Sequence, residues 1–327
     1  MSKVAASEVD RALALDIVRV TEAAAVAAAE WRGRGDEVAA DIAAATAMYR
    51  ALAAMPIEAT VVVGEGEADE TPLLFIGETV GAGGQGPRVD LAVDAIEGLT
   101  LCAKALPNAL SVLVLAEHGA LLKVPPIYMD KIAIGSDFPE GLVDLNASPA
   151  DNLAALAGAR GVPVSEVTVC ILDRPRHAKL IEQVKEAGAA IRLIADGDIA
   201  GVIHVTEPLE TGIDMYMGIG GAPEGVLAAA ALACIGGQMQ GRLVAVNDQQ
   251  RARARAASFF DLSRKYAIPD MIRGDLSFAA TGITDGSLLK GVHFTKEAIS
   301  THSVVMRAST HTVRWMNTAH PATGKFD

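Results

Sequence analysis

The sequence predicts an α/β fold in two lobes, and three observations predict it. Hydrophobic residues fill 51% of the 327 positions while aromatic ones fill 4%, which supplies a large aliphatic core and rules out disorder. Segments with helical apolar spacing alternate with short β-branched runs along the chain. At roughly 150 residues per domain, the length suits two domains or one large body with two lobes.

The elements follow in order. Val9, Leu13, Ile17 and Val20 recur at spacings of three and four, so Ser7 to Trp31 reads as a helix capped by Ser7. An alanine-rich helix covers Glu37 to Ala54, and Pro56 ends it. Thr60 to Val63 is β-branched throughout and reads as a buried strand, followed at once by the turn Gly64-Glu65-Gly66-Glu67. Val89 to Val93, Ala109 to Ala116 and Ile127 to Ile134 are three more strands, giving a first half of helices with a mixed sheet. The pattern changes near Gly161 to Val164, where we place the boundary between a lobe of residues 1–162 and one of residues 163–327. Beyond it, Val167 to Leu172, His177 to Ala187 and Ile191 to Ala195 form a βαβ unit broken at Gly188. Asp214 to Gly218 is a strand entering the glycine-rich loop GIGGAPEG, and Pro223 opens an apolar helix from Glu224 to Ile235. The polar run DQQRARARAASFFDLSRKYA is helical, and Leu276 to Thr281 and Ser303 to Arg307 return to strand.

Charge and motif content exclude several functions. Lys and Arg total 28 against 40 Asp and Glu, a net charge of −12, the wrong sign for nucleic acid or an anionic membrane. The longest charge-free stretch, Gly225 to Gly241, falls short of the roughly 20 apolar residues a membrane span needs. Acids interrupt the first residues before an unbroken apolar run appears, unlike a signal peptide, so the expected location is the cytoplasm. Cys102, Cys170 and Cys234 lie far apart, without disulfide or zinc spacing. There is no G-x-x-x-x-G-K-[ST] loop, no G-x-S-x-G elbow and no H-x-x-x-H pair. GIGGAPEG matches only part of a dinucleotide fingerprint.

Acidic residues instead collect at strand ends: Glu65, Glu67, Asp69 and Glu70 after one strand, Asp94 and Glu97 after the next. Carboxylates converging on a crevice suit Mg²⁺ or Mn²⁺, which take oxygen ligands, although glycine-flanked acids also make ordinary polar turns. We expect Asp94 and Glu97 to approach a cation from the two ends of one tight turn. Asp196-Gly197-Asp198 and the glycines from 218 to 225 fall at ends where ligands of α/β sheets gather. Arg174-Pro175-Arg176-His177 places two guanidiniums where a phosphate could be gripped, or else forms a plain cationic helix entry.

The blocks WRGRGDEVAAD, VVVGEGEADETPLLFIGETVG, VDAIEG, YMDKIAIG, RPRHAK, ADGDIAG, GIGGAPEGVLAAAALACIGGQMQGRL and FAATGITDGSLLKGV follow one another between about Asp10 and Trp315. Together they resemble the class II fructose-1,6-bisphosphatases, relatives of the lithium-sensitive, metal-dependent sugar and inositol phosphatases. The resemblance implies a layered α/β/α/β/α sandwich of two lobes with the active site between them. It also implies a Mn²⁺ or Mg²⁺ requirement and release of the 1-phosphate of fructose 1,6-bisphosphate, with sedoheptulose 1,7-bisphosphate a further substrate of some relatives. Position by position it assigns one metal to Asp41 and Glu65 and another to Asp94, Glu97 and Glu224. Glu97, Gly98, Tyr128, Arg174, Pro175, Arg176, Asp196, Gly197, Asp198 and Gly221 would face the sugar bisphosphate. Relatives associate, so a homo-oligomer, dimer or tetramer, is implied.

This chain departs from the family pattern at three places. The usual D-P-I-E-G-T is here Asp94-Ala95-Ile96-Glu97-Gly98-Leu99, with Thr100 one place later, and Glu37 replaces a common lysine. In relatives that threonine is thought to position the attacking water, so Thr100 is the candidate to replace it in a catalytic set with Glu65, Asp94 and Glu97. A rival reading of another class is a paralogue weakened by Leu99 that binds sugar phosphate and metal as a sensor or partner subunit.

Overall fold

The computed structural model describes residues 13–83 and 86–322; Ser7 and Val9 lie outside them. Helix α1 runs Leu13–Ala29 and α2 Glu37–Ala53, followed by β1 Glu58–Val63, β2 Thr79–Val80, β3 Arg88–Glu97, α3 Leu99–Ala103 and β4 Leu110–Glu117. Next come β5 Tyr128–Ile134, α4 Pro149–Arg160, β6 Thr168–Leu172, α5 Ala178–Glu186, β7 Ala190–Ile194, α6 Asp198–Ile203, α7 Pro208–Thr211, β8 Met215–Gly221 and α8 Ala222–Ile235. The remainder is β9 Gln238–Val244, α9 Asp248–Ala256, β10 Lys265–Ala267, α10 Ile268–Met271, β11 Leu276–Gly282, β12 His293–Phe294, β13 Ala298–Arg307 and β14 Thr312–Pro321. The fold is mixed α/β with two mixed sheets, as the alternation of patterns predicts.

Contacts gather the chain into two compact units, Met1–Leu122 with Arg273–Asp327, and Lys123–Ile272. The sequence-based boundary at 162/163 falls elsewhere, for identifiable reasons. Gly161, at φ +68°, only caps α4, accounting for the pattern change. Strand β5, upstream of that point, pairs with β8 and β9, while β11 pairs with β4 and carries the C-terminal strands back to the first unit.

The first unit holds an eight-stranded sheet in the order β12-β13-β11-β4-β3-β1-β2, with β14 on β13. β1 and β3 run parallel, whereas β3–β4, β4–β11 and β11–β13 are antiparallel. Asp36 caps α2, its carboxylate accepting from Ala39 N–H at 3.0 Å. Ile17, Val20, Ala24 and Ala28 of α1 and Ala40, Ala44, Met48 and Leu52 of α2 enter one core with Leu91, Leu113 and Leu115 of the sheet. Each large aliphatic side chain buried there contributes about 1.5–3 kcal/mol.

The second unit holds a six-stranded sheet in the order β10-β9-β5-β8-β6-β7. Leu153 and Leu156 of α4 and Val184 of α5 pack with Ile132, Ile134, Val169 and Met217 of the sheet. Three expectations change here. The glycines of GIGGAPEG do not form a loop: Gly218 to Gly221 finish β8 against β5, and Ala222 begins α8 directly. The polar helix stops at Ala256, and the KYA that ends its run becomes β10 on β9. Strand β9 crosses the stretch read only as charge-free, alternating buried Met239 and Leu243 with half-buried Gln238, Gln240 and Arg242.

Candidate active site

In the first unit the expected acids stand around the ends of β1 and β3. Glu65 follows β1, where Gly64 is required: a Cβ there would lie 2.1 Å from the Leu74 carbonyl oxygen. Glu65 N–H donates to that oxygen at 3.0 Å, and its carboxylate Oε1 accepts from Ala95 N–H at 2.8 Å. The first acidic loop is thereby tied to β3. A proline at 95, usual in the family motif, has no N–H to give.

Asp94 and Glu97 both belong to β3, which shifts register between them. In a regular strand, residues three apart face opposite sides; the bulge restores a common side, and their carboxylates offer oxygens within 4.8 Å of each other. The tight turn expected from sequence is therefore a bulged strand end. Gly98 follows at φ +84° and leads straight into α3. Leu99 packs against the core of the first unit, and Thr100 is half-buried in the first turn of α3. Asp41 is half-buried on α2, and burial holds its carboxyl above the usual range. Among the described residues, neither Asp41 nor Glu65 brings an oxygen within 4.8 Å of both Asp94 and Glu97.

In the second unit the expected substrate residues meet at one end of the sheet. Arg174, extended at φ −135°, follows β6, and Pro175 opens a single 3₁₀ turn. Arg174 Nη2 lies 3.4 Å from Asp196 Oδ1. The Arg176 guanidinium sits over the Tyr128 ring, 5.0 Å from its centroid, and its Nε donates to the Ile219 carbonyl at 2.9 Å. Tyr128 is paired in register with Gly221 across β5 and β8. Gly197, at φ +81°, turns the chain from β7 so that Asp198 starts α6. Asp198 is paired with the buried Lys131 of β5.

Glu224 stands in the first turn of α8 in the same unit. Its Oε2 is buried without a hydrogen-bond partner. Burial raises its pKa, the Asp198 charge raises it further, and Lys131 opposes them. An acceptor so placed is relieved by a cation, and an all-oxygen donor set of carboxylates suits a hard divalent ion.

Two residues that organise this end escaped sequence reasoning. His177, noted in the sequence only as the end of Arg174-Pro175-Arg176-His177 and the start of a helix, is buried and accepts from Ile219 N–H at Nε2, 2.7 Å, with Nδ1 2.7 Å from the Leu172 carbonyl. A carbonyl only accepts, so Nδ1 carries the proton and the ring is neutral; burial lowers its pKa accordingly. It holds the N–H of Ile219, the residue whose carbonyl accepts from Arg176. Lys131 left one legible signal, a lysine beside Asp130 in a strand from Tyr128 to Ile134 that is otherwise apolar, since a fully buried lysine is almost always paired.

Comparison with known proteins places the chain in a family. Residues 11–320 match the family described as bacterial fructose-1,6-bisphosphatase, glpX-encoded. The chain is 41% identical over 327 residues to the fructose-1,6-bisphosphatase class 2 of Haemophilus influenzae (strain Rd), covering 95% of this chain and 96% of that one. It is likewise 41% identical over 324 residues to the fructose-1,6-bisphosphatase 1 class 2 of Escherichia coli K12, covering 95% of each.

Proposed function

The chain belongs to the family of bacterial, glpX-encoded fructose-1,6-bisphosphatases, and from that premise we propose how its own residues carry the reaction. The reaction is the metal-dependent hydrolysis of the 1-phosphate of fructose 1,6-bisphosphate to a sugar monophosphate and inorganic phosphate. Sedoheptulose 1,7-bisphosphate, with the same phosphate-bearing end, is a second substrate.

Asp41 and Glu65 hold one divalent cation and Asp94, Glu97 and Glu224 another, Mn²⁺ or Mg²⁺. Such an ion, when bound, neutralises phosphate charge and lowers the pKa of a coordinated water. The protein's own contribution is placement. Arg174 and Arg176 hold the remote phosphate, a role that suits planar guanidiniums. Asp196 and Asp198 accept hydrogen bonds from sugar hydroxyls, with Glu97, Gly98, Tyr128, Pro175, Gly197 and Gly221 completing the contact surface. Thr100 orients the water that attacks phosphorus, while Glu65, Asp94 and Glu97 complete the catalytic set. The scissile phosphorus–oxygen bond breaks as the new one forms, and the proton that the attacking water gives up balances the one that the departing sugar oxygen takes up. The protein works as a homo-oligomer, dimer or tetramer, in the cytoplasm, without nucleic-acid or membrane partners; among the described residues no helix is long and apolar enough to cross a membrane.

The observation that carries this reading is the convergence at one end of the second sheet. Arg174, Arg176, Tyr128, Asp196, Asp198 and Gly221 come from four strands or strand ends; Arg174 pairs with Asp196, Arg176 sits over Tyr128, and Tyr128 is in register with Gly221. Phosphorus NMR of fructose 1,6-bisphosphate turned over with Mn²⁺ tests it. The expected spectrum loses the 1-phosphate signal and keeps that of fructose 6-phosphate. No release, or release from the 6-position, contradicts it.

A further inference from the structure

Lys131 is a fully buried side chain, 0% exposed, in the middle of β5. Its Nζ donates to Asp198 Oδ2 and, at 3.0 Å, to the Gly221 carbonyl. The Tyr216 hydroxyl reaches the same Asp198 oxygen at 3.5 Å. Glu224, whose Oε2 has no hydrogen-bond partner, feels both charges of the pair.

The surrounding sequence makes room for these groups. A Cβ on Gly220 would lie 1.9 Å from Asp198 Oδ2 and 2.8 Å from Lys131 Nζ, and one on Gly221 would lie 1.8 Å from Glu224 Oε2. A Cβ on Gly225 would meet Met129 Sδ at 2.6 Å and would only touch the Lys131 stem, at 3.4 Å. Packing alone does not account for such an arrangement, because apolar residues of similar volume fill a core as well without desolvating charge. The pair instead supplies direction: one oxygen of Asp198 is pinned from inside the sheet.

We propose that Lys131 is a positioning residue for substrate binding: it holds Asp198 by Oδ2, leaving Oδ1 to accept from the sugar, and offsets the neighbouring Asp198 and Glu224 carboxylates. The proposal rests on the reading of Asp198 as a sugar ligand. It assigns no bond between Lys131 and substrate.

Calorimetric binding of fructose 6-phosphate to the wild type, Lys131→Met, Asp198→Asn and the double variant tests it, with thermal unfolding recorded for each. Asp198→Asn weakens binding, and Lys131→Met weakens it about tenfold in the wild type but hardly at all in the Asp198→Asn background, since contacting residues couple. Equal factors in both backgrounds, or unchanged affinity in Lys131→Met despite a lowered unfolding temperature, overturns the proposal and leaves Lys131 a structural residue. Should Asp198→Asn bind as the wild type does, the reading of Asp198 falls, and the proposal with it. If Lys131→Met does not fold, Lys131→Arg replaces it in the cycle. That variant keeps the charge but moves the donor, and it must show the same dependence on Asp198.

Discussion

Thr100 and Leu99 stand where the sequence departs from the D-P-I-E-G-T motif, and they set a sharp test. Leu99 packs on the first unit's core, so its side chain has a packing role and no hydrogen bond to offer. If the Thr100 hydroxyl orients the attacking water, Thr100→Val lowers kcat about 10²-fold, the usual loss for one oriented group, with KM little changed and Thr100→Ser largely restoring the rate. A kcat unchanged in Thr100→Val removes that role. His204 carries a prediction of another kind. It is 6% exposed, and burial, with Arg192 adding to it, lowers its pKa from 6.5 to about 4. A base depressed in the folded state favours folding fully above the unfolded pKa, and the benefit is lost as pH falls from 6.5 towards 4. That difference corresponds to about 3 kcal/mol. Denaturant unfolding at pH 7 and pH 4 checks it: the wild type loses about that much more stability than His204→Leu, and equal losses contradict it.

The elements owe their positions to a few glycines as much as to apolar stripes. Gly220→Ala places a methyl 1.9 Å from Asp198 Oδ2, so β8 cannot keep both its register with β5 and the Lys131 pair. The expected result is a lowered unfolding temperature and a raised KM. Gly158, inside α4 with nothing within 4 Å of an added Cβ, is the contrasting case: Gly158→Ala stabilises by about 0.5–1 kcal/mol through helix propensity and a less flexible unfolded chain. Unfolding midpoints of the two variants, moving in opposite directions, check both statements. The elements that sequence reasoning identified, such as α1, α2, β4, β5 and α8, have continuous apolar periods and clear breakers. Those it missed do not: α4 has a weakly amphipathic PADNLAALAGAR, β9 is split by Gly241, and β14 lies at a sheet edge, where Val313 and Trp315 stay exposed.

Over the whole molecule, the family, the α/β class and the residue types of the candidate site left local marks: paired acids at strand ends, DGD, RPRH, a proline-opened helix. What holds those residues left none, because it is long-range. The bulge that turns Asp94 and Glu97 to one side, the Ala95 bond to Glu65, the His177 bridge to Ile219 and the return of β11 to β4 join positions that no spacing rule connects. Cation binding to the folded chain alone also raises its stability, by about 2.7 kcal/mol at 100 times the dissociation constant, so Mn²⁺ or Mg²⁺ raises the unfolding temperature of the wild type and raises that of Glu224→Gln less. The most direct test of metal-held catalysis is inorganic phosphate release from fructose 1,6-bisphosphate by the wild type and Glu97→Ala, each with Mn²⁺ or Mg²⁺ and with a chelator. The expected outcome is release by the wild type that the chelator abolishes, and almost none from Glu97→Ala. Release that persists in the chelator, or that Glu97→Ala matches, contradicts it.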